Sequence, residues 1–271
     1  MAEITAKLVN DLRARTGQGM MECKKMLAEA GGDIEKAIDA FRKKGVKASV
    51  LGRSASEGRV VGLRVEDSKS AALVEILCNT DFTAKSEPVL ALGQNAARAL
   101  LKNPSADVTK DPAMVAEATE VAQKTGENVQ IGRTAVLTNS AGKVGLYLYT
   151  ITNKIGVLSS VSGNASDDVL KDLGVHIVAA KPLAVSLNRE GVPAELIQKE
   201  REIAIEQAKA TGKPQQIAEK IAEGKMRSFY EERVLLEQPF VNPDKFKGSV
   251  AEYLKANGAT LEKYVRIEVG Q

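Results

Sequence analysis

Ala71-Ala72-Leu73-Val74-Glu75-Ile76-Leu77-Cys78-Asn79-Thr80-Asp81-Phe82-Thr83-Ala84-Lys85-Ser86-Glu87 opens as an apolar run with β-branched residues and closes on a helix signal. Ser86 and Glu87 stand just before the apolar-periodic Val89, Leu90 and Leu92. The stretch therefore reads as a strand that leaves a core and turns into a helix. At the turn, Asn79, Thr80 and Asp81 can fix the backbone through side-chain hydrogen bonds, and Phe82 is the one large apolar residue beside them. Such a Phe either tucks back over the core or points outward as an anchor, and composition leaves both open.

Working backwards, Arg59 to Val65 and Ala71 to Cys78 read as two strands joined by the five-residue loop Glu66-Asp67-Ser68-Lys69-Ser70. Residues 47–58 have a linker composition of Lys, Ala, Ser, Gly, Arg and Glu. Ahead of them, residues 1–46 form a helical module. Leu8, Val9 and Leu12 share one face; Met20, Met21 and Leu27 follow the break Thr16-Gly17-Gln18-Gly19; and Ile34, Ala37, Ile38 and Phe41 recur after Gly31-Gly32-Asp33. Only one of the adjacent Met20 and Met21 can face fully inward, which leaves the other as an adaptable surface contact.

Working forwards, one helix carries Leu90, Leu92, Ala96, Ala97, Leu100 and Leu101, and a second runs from Asp111-Pro112 to Lys124, with Gly126 as its stop. Val129–Thr138, Gly145–Thr150 and Gly156–Gly163 read as a three-strand meander, followed by a helix from Asp167-Asp168 to Lys181-Pro182. Residues 193–236 read as a helical hairpin broken at Thr211-Gly212-Lys213-Pro214. Leu196, Ile203 and Ala210 are expected in the seam of one arm, with Ile217, Ile221 and Met226 in the other. Its surface suits a second copy, another partner, or solvent alone. Residues 263–269 alternate as a last strand that needs an edge to join. The pattern is α+β rather than alternating βαβ.

The 271 residues are 44% hydrophobic and 27% charged, the composition of an ordinary globular protein with a sizeable core. Lys and Arg number 38 against 35 Asp and Glu, and the resulting +3 is too mild to imply nucleic-acid or membrane binding. Met1-Ala2-Glu3-Ile4-Thr5 carries no basic segment leading into an apolar one, so a cytoplasmic protein is expected. Cys23 and Cys78 lack a second Cys or a His at ligand spacing and read as reduced, packed thiols. No phosphate-binding glycine loop, nucleophile elbow or metal cluster is present in the sequence. The single histidine, His176, lies among Val175, Ile177 and Val178, where a structural or interface role outweighs catalysis. These features favour a binding protein over an enzyme.

Four segments in order carry a resemblance. They are Leu12-Arg13-Ala14-Arg15-Thr16-Gly17-Gln18-Gly19-Met20-Met21-Glu22-Cys23-Lys24-Lys25 with Ala30 to Ala37, Cys78 to Lys85, His176-Ile177-Val178-Ala179-Ala180-Lys181-Pro182, and Gln238-Pro239-Phe240-Val241. Together they resemble the bacterial translation elongation factor Ts family. The resemblance implies a guanine-nucleotide exchange factor for elongation factor Tu that needs no cofactor of its own and makes no direct contact with nucleic acid or membrane. It implies a three-helix module like ubiquitin-associated domains at 1–46, a linker at 47–58, and an α+β core of two subdomains, 59–139 and 140–271. The second would include the helical (coiled-coil) hairpin 193–236 and the closing strand 263–269. By the same resemblance Arg13, Met20 and Met21 touch the partner's nucleotide-binding domain. Thr80, Asp81, Phe82 and Thr83 form the exchange site beside its Mg²⁺ and phosphates, and His176 faces the partner from the core surface. Thr83 stands where the family pattern commonly has Val. A homodimer or a 2:2 complex through the core or hairpin, and a non-catalytic adaptor of the translation machinery, remain open alternatives.

Overall fold

A computed structural model of the chain describes residues 4–16, 18–43, 55–210, 212 and 215–271. Most of the expected linker, Gly17, and all but Gly212 of the hairpin break lie outside the described residues. Ten helices and two small antiparallel sheets are found among the described residues, so the fold is α+β. Contacts along the chain define two compact units. One comprises Met1–Thr138, Leu148–Leu158 and Val265–Gln271, the other Asn139–Tyr147 and Ser159–Tyr264.

The first unit begins with α1 (Ala6–Thr16), α2 (Met20–Glu29) and α3 (Ile34–Lys43), a three-helix module of the ubiquitin-associated type. Val9, Leu12, Cys23, Met26, Leu27, Ala37, Ile38 and Phe41 make its core. The chain can turn between α2 and α3 because Gly31 and Gly32 take φ of 65° and 86°, a region costly for residues with a Cβ. The inward face of α2 is Cys23, Met26 and Leu27; Met20 and Met21 are both exposed. The expectation that one Met packs inward is thus corrected. Cys23 takes that place, held by Thr16 Oγ1 at 3.7 Å.

β1 (Glu57–Arg64), β2 (Ser70–Cys78) and β3 (Gln130–Thr138) form the first sheet, with β2 central and antiparallel to both neighbours. Ala72, Val74, Ile76 and Cys78 alternate onto the face covered by α5 (Glu87–Lys102) and α6 (Pro112–Thr125), where they meet Val89, Leu92, Ala96, Leu100, Ala118 and Val121. Asp111 begins α6 by accepting the amides of Ala113 and Met114, and Gly126 ends it at φ 71°. The β2–β3 register shifts between Val74 and Ile76. There the buried Glu75 carboxylate accepts the Arg133 amide at 3.0 Å and its guanidinium at 2.9 and 2.6 Å, which satisfies the backbone at the irregularity.

The expected three-strand meander is corrected. β3 pairs with β2, while β4 (Lys143–Leu148) and β5 (Ile155–Gly163) pair with each other and with the last strand, β6 (Ala259–Glu268). Helices α5 and α6 return the chain alongside β2, so the edge open to β3 belongs to a strand far back in sequence. Neighbours in sequence pair only about two-thirds of the time. The last strand joins an existing sheet as expected and starts earlier, at Ala259.

The second unit contains α7 (Asp167–Ala179), capped by Ser166 Oγ accepting the Val169 amide, and the hairpin α8 (Ala194–Lys209) and α9 (Gln215–Arg233). The hairpin seam is Ala204 and Ala208 against Ala218 and Ala222, with Ile221 beside them. Ala210 and Ile217, expected inside it, are exposed. A heptad reading selects the larger residues, but small side chains four apart on both arms let the helices approach closely, and that decides the phase. The last helix, α10 (Val250–Ala256), opens with a capping box between Ser249 and Glu252.

Candidate functional site

The turn after β2 is built from short-range bonds first. Thr80 is the N-cap of a single-turn helix, α4 (Asp81–Ala84), with its Oγ1 accepting the Thr83 amide at 3.2 Å. Ser86 Oγ donates to the Thr83 carbonyl at 2.7 Å, and the Cys78 thiol donates to the Thr80 carbonyl at 3.2 Å. Burial, and then the charge of Glu127, push the Cys78 thiol up to about 11, so it stays neutral at physiological pH.

A second segment cradles the turn. Glu127 Oε2 accepts the amides of Asn79 and Thr80, both at 3.0 Å, and Glu127 Oε1 accepts the Thr80 hydroxyl at 2.7 Å. In return, Asn79 Oδ1 accepts the Asn128 amide at 2.8 Å, and Arg59 Nη1 donates to the Ala84 carbonyl at 3.2 Å. Burial pushes the Glu127 carboxyl up, yet the hydrogen bonds from Thr80, Thr83 and the Asn79 amide outweigh it and hold the group below its usual range.

With its polar groups tied down, the turn presents Phe82 at 81% exposure. Asp81 is half-buried and paired with Lys85 at 2.8 Å, and that bond holds its carboxyl below the usual range. Thr83 is buried at 8%, which fits a side chain facing the Glu127 cradle. Of the module residues, Met21 is 74% exposed, Met20 41%, and Arg13 half-buried.

His176 is placed differently from the surface position expected of it. It is fully buried on α7, its Nδ1 accepts the Val241 amide at 3.1 Å, and its Nε2 lies 3.1 Å from Gln238 Oε1. Nδ1 accepts, so the proton sits on Nε2 and is donated to Gln238. The ring stacks on Phe240 at 5.7 Å, and Gln238 Nε2 donates to the carbonyls of Pro182 and Glu232. The histidine is a core fastening for Gln238-Pro239-Phe240-Val241, and that correction follows from the aromatic and amide partners waiting for it 62 and 65 residues later.

Sequence reasoning missed Glu127, Asn128 and Arg59. Glu127 lies 47 residues from Thr80, and a lone carboxylate after a helix stop carries no pattern that points back to the turn. Among the described residues no group of three or more His, Cys, Asp or Glu is placed to hold a metal, and no helix is long and apolar enough to cross a membrane.

A three-helix ubiquitin-associated-type module joined to an α+β core that displays one aromatic on a fastened turn defines a class of contact-making protein. Residues 79–271 match the family model described as elongation factor TS. The chain is 46% identical to elongation factor Ts of Pasteurella multocida, over 100% of this chain and 93% of that one. It is 42% identical to elongation factor Ts of Thiobacillus denitrificans (100% and 93%) and 41% identical to that of Methylococcus capsulatus (99% and 92%). The chain belongs to the elongation factor Ts family.

Proposed function

We propose that this chain is a cytoplasmic guanine-nucleotide exchange factor for elongation factor Tu, and that it acts by inserting Phe82 and Asp81 beside the partner's Mg²⁺ and phosphate site. Arg13, Met20 and Met21 hold the partner's nucleotide-binding domain while this happens. The observation that carries the reading is an 81%-exposed Phe on a turn whose Asn79, Thr80 and Thr83 amides and Thr80 hydroxyl are bonded. Leaving a large apolar ring in water has no folding advantage, whereas burying it in a partner contributes about 1.5–3 kcal/mol.

Exchange is a coupling between two ligands of one protein. If the factor weakens GDP binding, GDP weakens factor binding to the same extent. Each roughly 1.4 kcal/mol is tenfold in an equilibrium constant, so Phe82 accounts for about ten- to a hundredfold of the coupling. The test is release of a fluorescent GDP from elongation factor Tu by substoichiometric amounts of the chain. Phe82→Ala is expected to slow release about ten- to a hundredfold while changing folding stability by less than about 0.5 kcal/mol, because the ring is already in water. Tight binding by the wild-type chain with release unchanged would instead identify an adaptor.

A further inference from the structure

We propose that Glu127 is a positioning residue for nucleotide release: its carboxylate holds the Asn79–Thr83 turn ordered in the free chain, so that Phe82 reaches the partner in its inserting conformation. The inference rests on the exchange reading and names a residue outside the contact surface.

Three observations converge on it. The two carboxylate oxygens collect the Asn79 amide, the Thr80 amide and the Thr80 hydroxyl at 2.7–3.0 Å. The Thr80 oxygen in turn caps α4 by accepting the Thr83 amide, so a single side chain holds the residue that starts the turn of helix carrying Phe82. Finally, Glu127 is itself anchored. Gly126 closes α6 with its amide on the Ala122 carbonyl, the Glu127 amide donates to Thr125 Oγ1 at 3.4 Å, and the buried Asn128 donates its amide to Asn79. A four-residue helix cannot hold itself together in water, since one hydrogen-bonded turn does not repay its nucleation. The order of α4 therefore comes from this cradle, and an interface element ordered beforehand loses less entropy on binding.

A positioning role and a merely stabilising one differ in what they couple to. Glu127→Ala is expected to lower the maximal rate of GDP release about tenfold, with the factor concentration giving half-maximal rate changed by less than about threefold. In a Phe82→Ala background the same substitution is expected to have little further effect, because there is no ring left to position. Glu127→Gln, which keeps one acceptor oxygen for the two amides, is expected to fall between, and it serves as the comparison should the alanine variant not fold. Hydrogen exchange of the free chain supplies a readout that needs no partner: the Asn79, Thr80 and Thr83 amides are expected to lose protection in Glu127→Ala while those of β2 keep it. Unchanged protection at these three amides, or equal rate losses with and without Phe82, would overturn the proposal. A wild-type chain that fails to accelerate release at all, with the turn protected as expected, would remove the exchange reading and take the functional half of this inference with it.

Discussion

Phe82 follows polar residues in sequence and His176 lies among apolar ones, and the folded chain sends the first into water and the second into the core. The polar residues around Phe82 are held by the backbone, by Glu127 and by Lys85, and the ring is left 81% exposed. His176 instead finds an acceptor, a donor and a stacking partner in Gln238, Val241 and Phe240. Its apolar helix neighbours already pointed to a structural histidine, and the surface position came only from resemblance. What sequence could not give was the identity of partners more than 60 residues away. Burial pushes the His176 imidazole below its ordinary value of 6.5, opposed by the hydrogen bond to Gln238. A histidine depressed in the folded state binds fewer protons there than in the unfolded chain. Its contribution to stability is complete above about pH 6.5, falls as pH drops below that value, and levels off beneath the folded pKa. The carboxylates held low, Asp33, Asp81, Asp107 and Glu127, lose stability only near and below their ordinary values of 3.8 and 4.5. The melting temperature is therefore expected to decline between pH 6.5 and 5, and to flatten in that window for His176→Gln, since the chain has no other histidine. A wild-type profile flat from pH 7 to 5 would contradict this fastening.

Element ends were legible because their signals are local. Ser86 before α5, Asp111-Pro112 before α6 and Gly126 after it all stand where the reading put them. Pairing was not legible: β3 joined β2 rather than β4, and the hairpin settled on alanines rather than on Leu196, Ile203 and Ala210. Both depend on which surfaces can approach closely, a property of two elements at once. Glycine marks two such approaches. An added Cβ at Gly93 of α5 would lie 2.6 Å from Val61 Cγ2 on β1, and one at Gly174 of α7 would lie 2.3 Å from Tyr147 Cβ on β4. In a helix interior, Gly→Ala gains about 1 kcal/mol of propensity, while overpacking costs about 1–3 kcal/mol. Val61 is buried and stiff at χ1, and the Tyr147 Cβ is fixed to its strand, so neither can swing aside. Gly93→Ala is expected to be net destabilising by about 1 kcal/mol and Gly174→Ala by more, read as a shift in urea midpoint at constant slope. Greater stability in either variant would show that helix and sheet are less tightly apposed than these distances require.

For the molecule as a whole, Met20-Met21 and Phe82, which are among its exposed apolar side chains, belong to structures with separate supports. The module has its own core of Val9, Leu12, Cys23, Met26, Leu27, Ala37, Ile38 and Phe41, whereas Phe82 is carried by a turn fastened beside the first sheet. A contact made equally well with the nucleotide-bound and the disturbed partner changes affinity alone. Only a contact that prefers the disturbed state shifts that equilibrium. A flexible Met pair suits the first task, because Met adapts to either surface at little cost. A rigid aromatic suits the second. The two sites should therefore separate kinetically. Met20→Ser with Met21→Ser is expected to raise the factor concentration for half-maximal GDP release about tenfold, less than full burial of two Met side chains would imply, since Met20 is already part-covered at 41% exposure. Its maximal rate should stay within about twofold of wild type, and its stability within about 0.5 kcal/mol, because both side chains lie outside the module core. Phe82→Ala is expected to show the opposite pattern, with the maximal rate lost and the half-maximal concentration nearly kept. Titrating each variant against a fixed amount of labelled complex measures both quantities at once. A Met variant that loses maximal rate as Phe82→Ala does would mean that the module takes part in disturbing the nucleotide site, and the division between holding and acting would have to be given up.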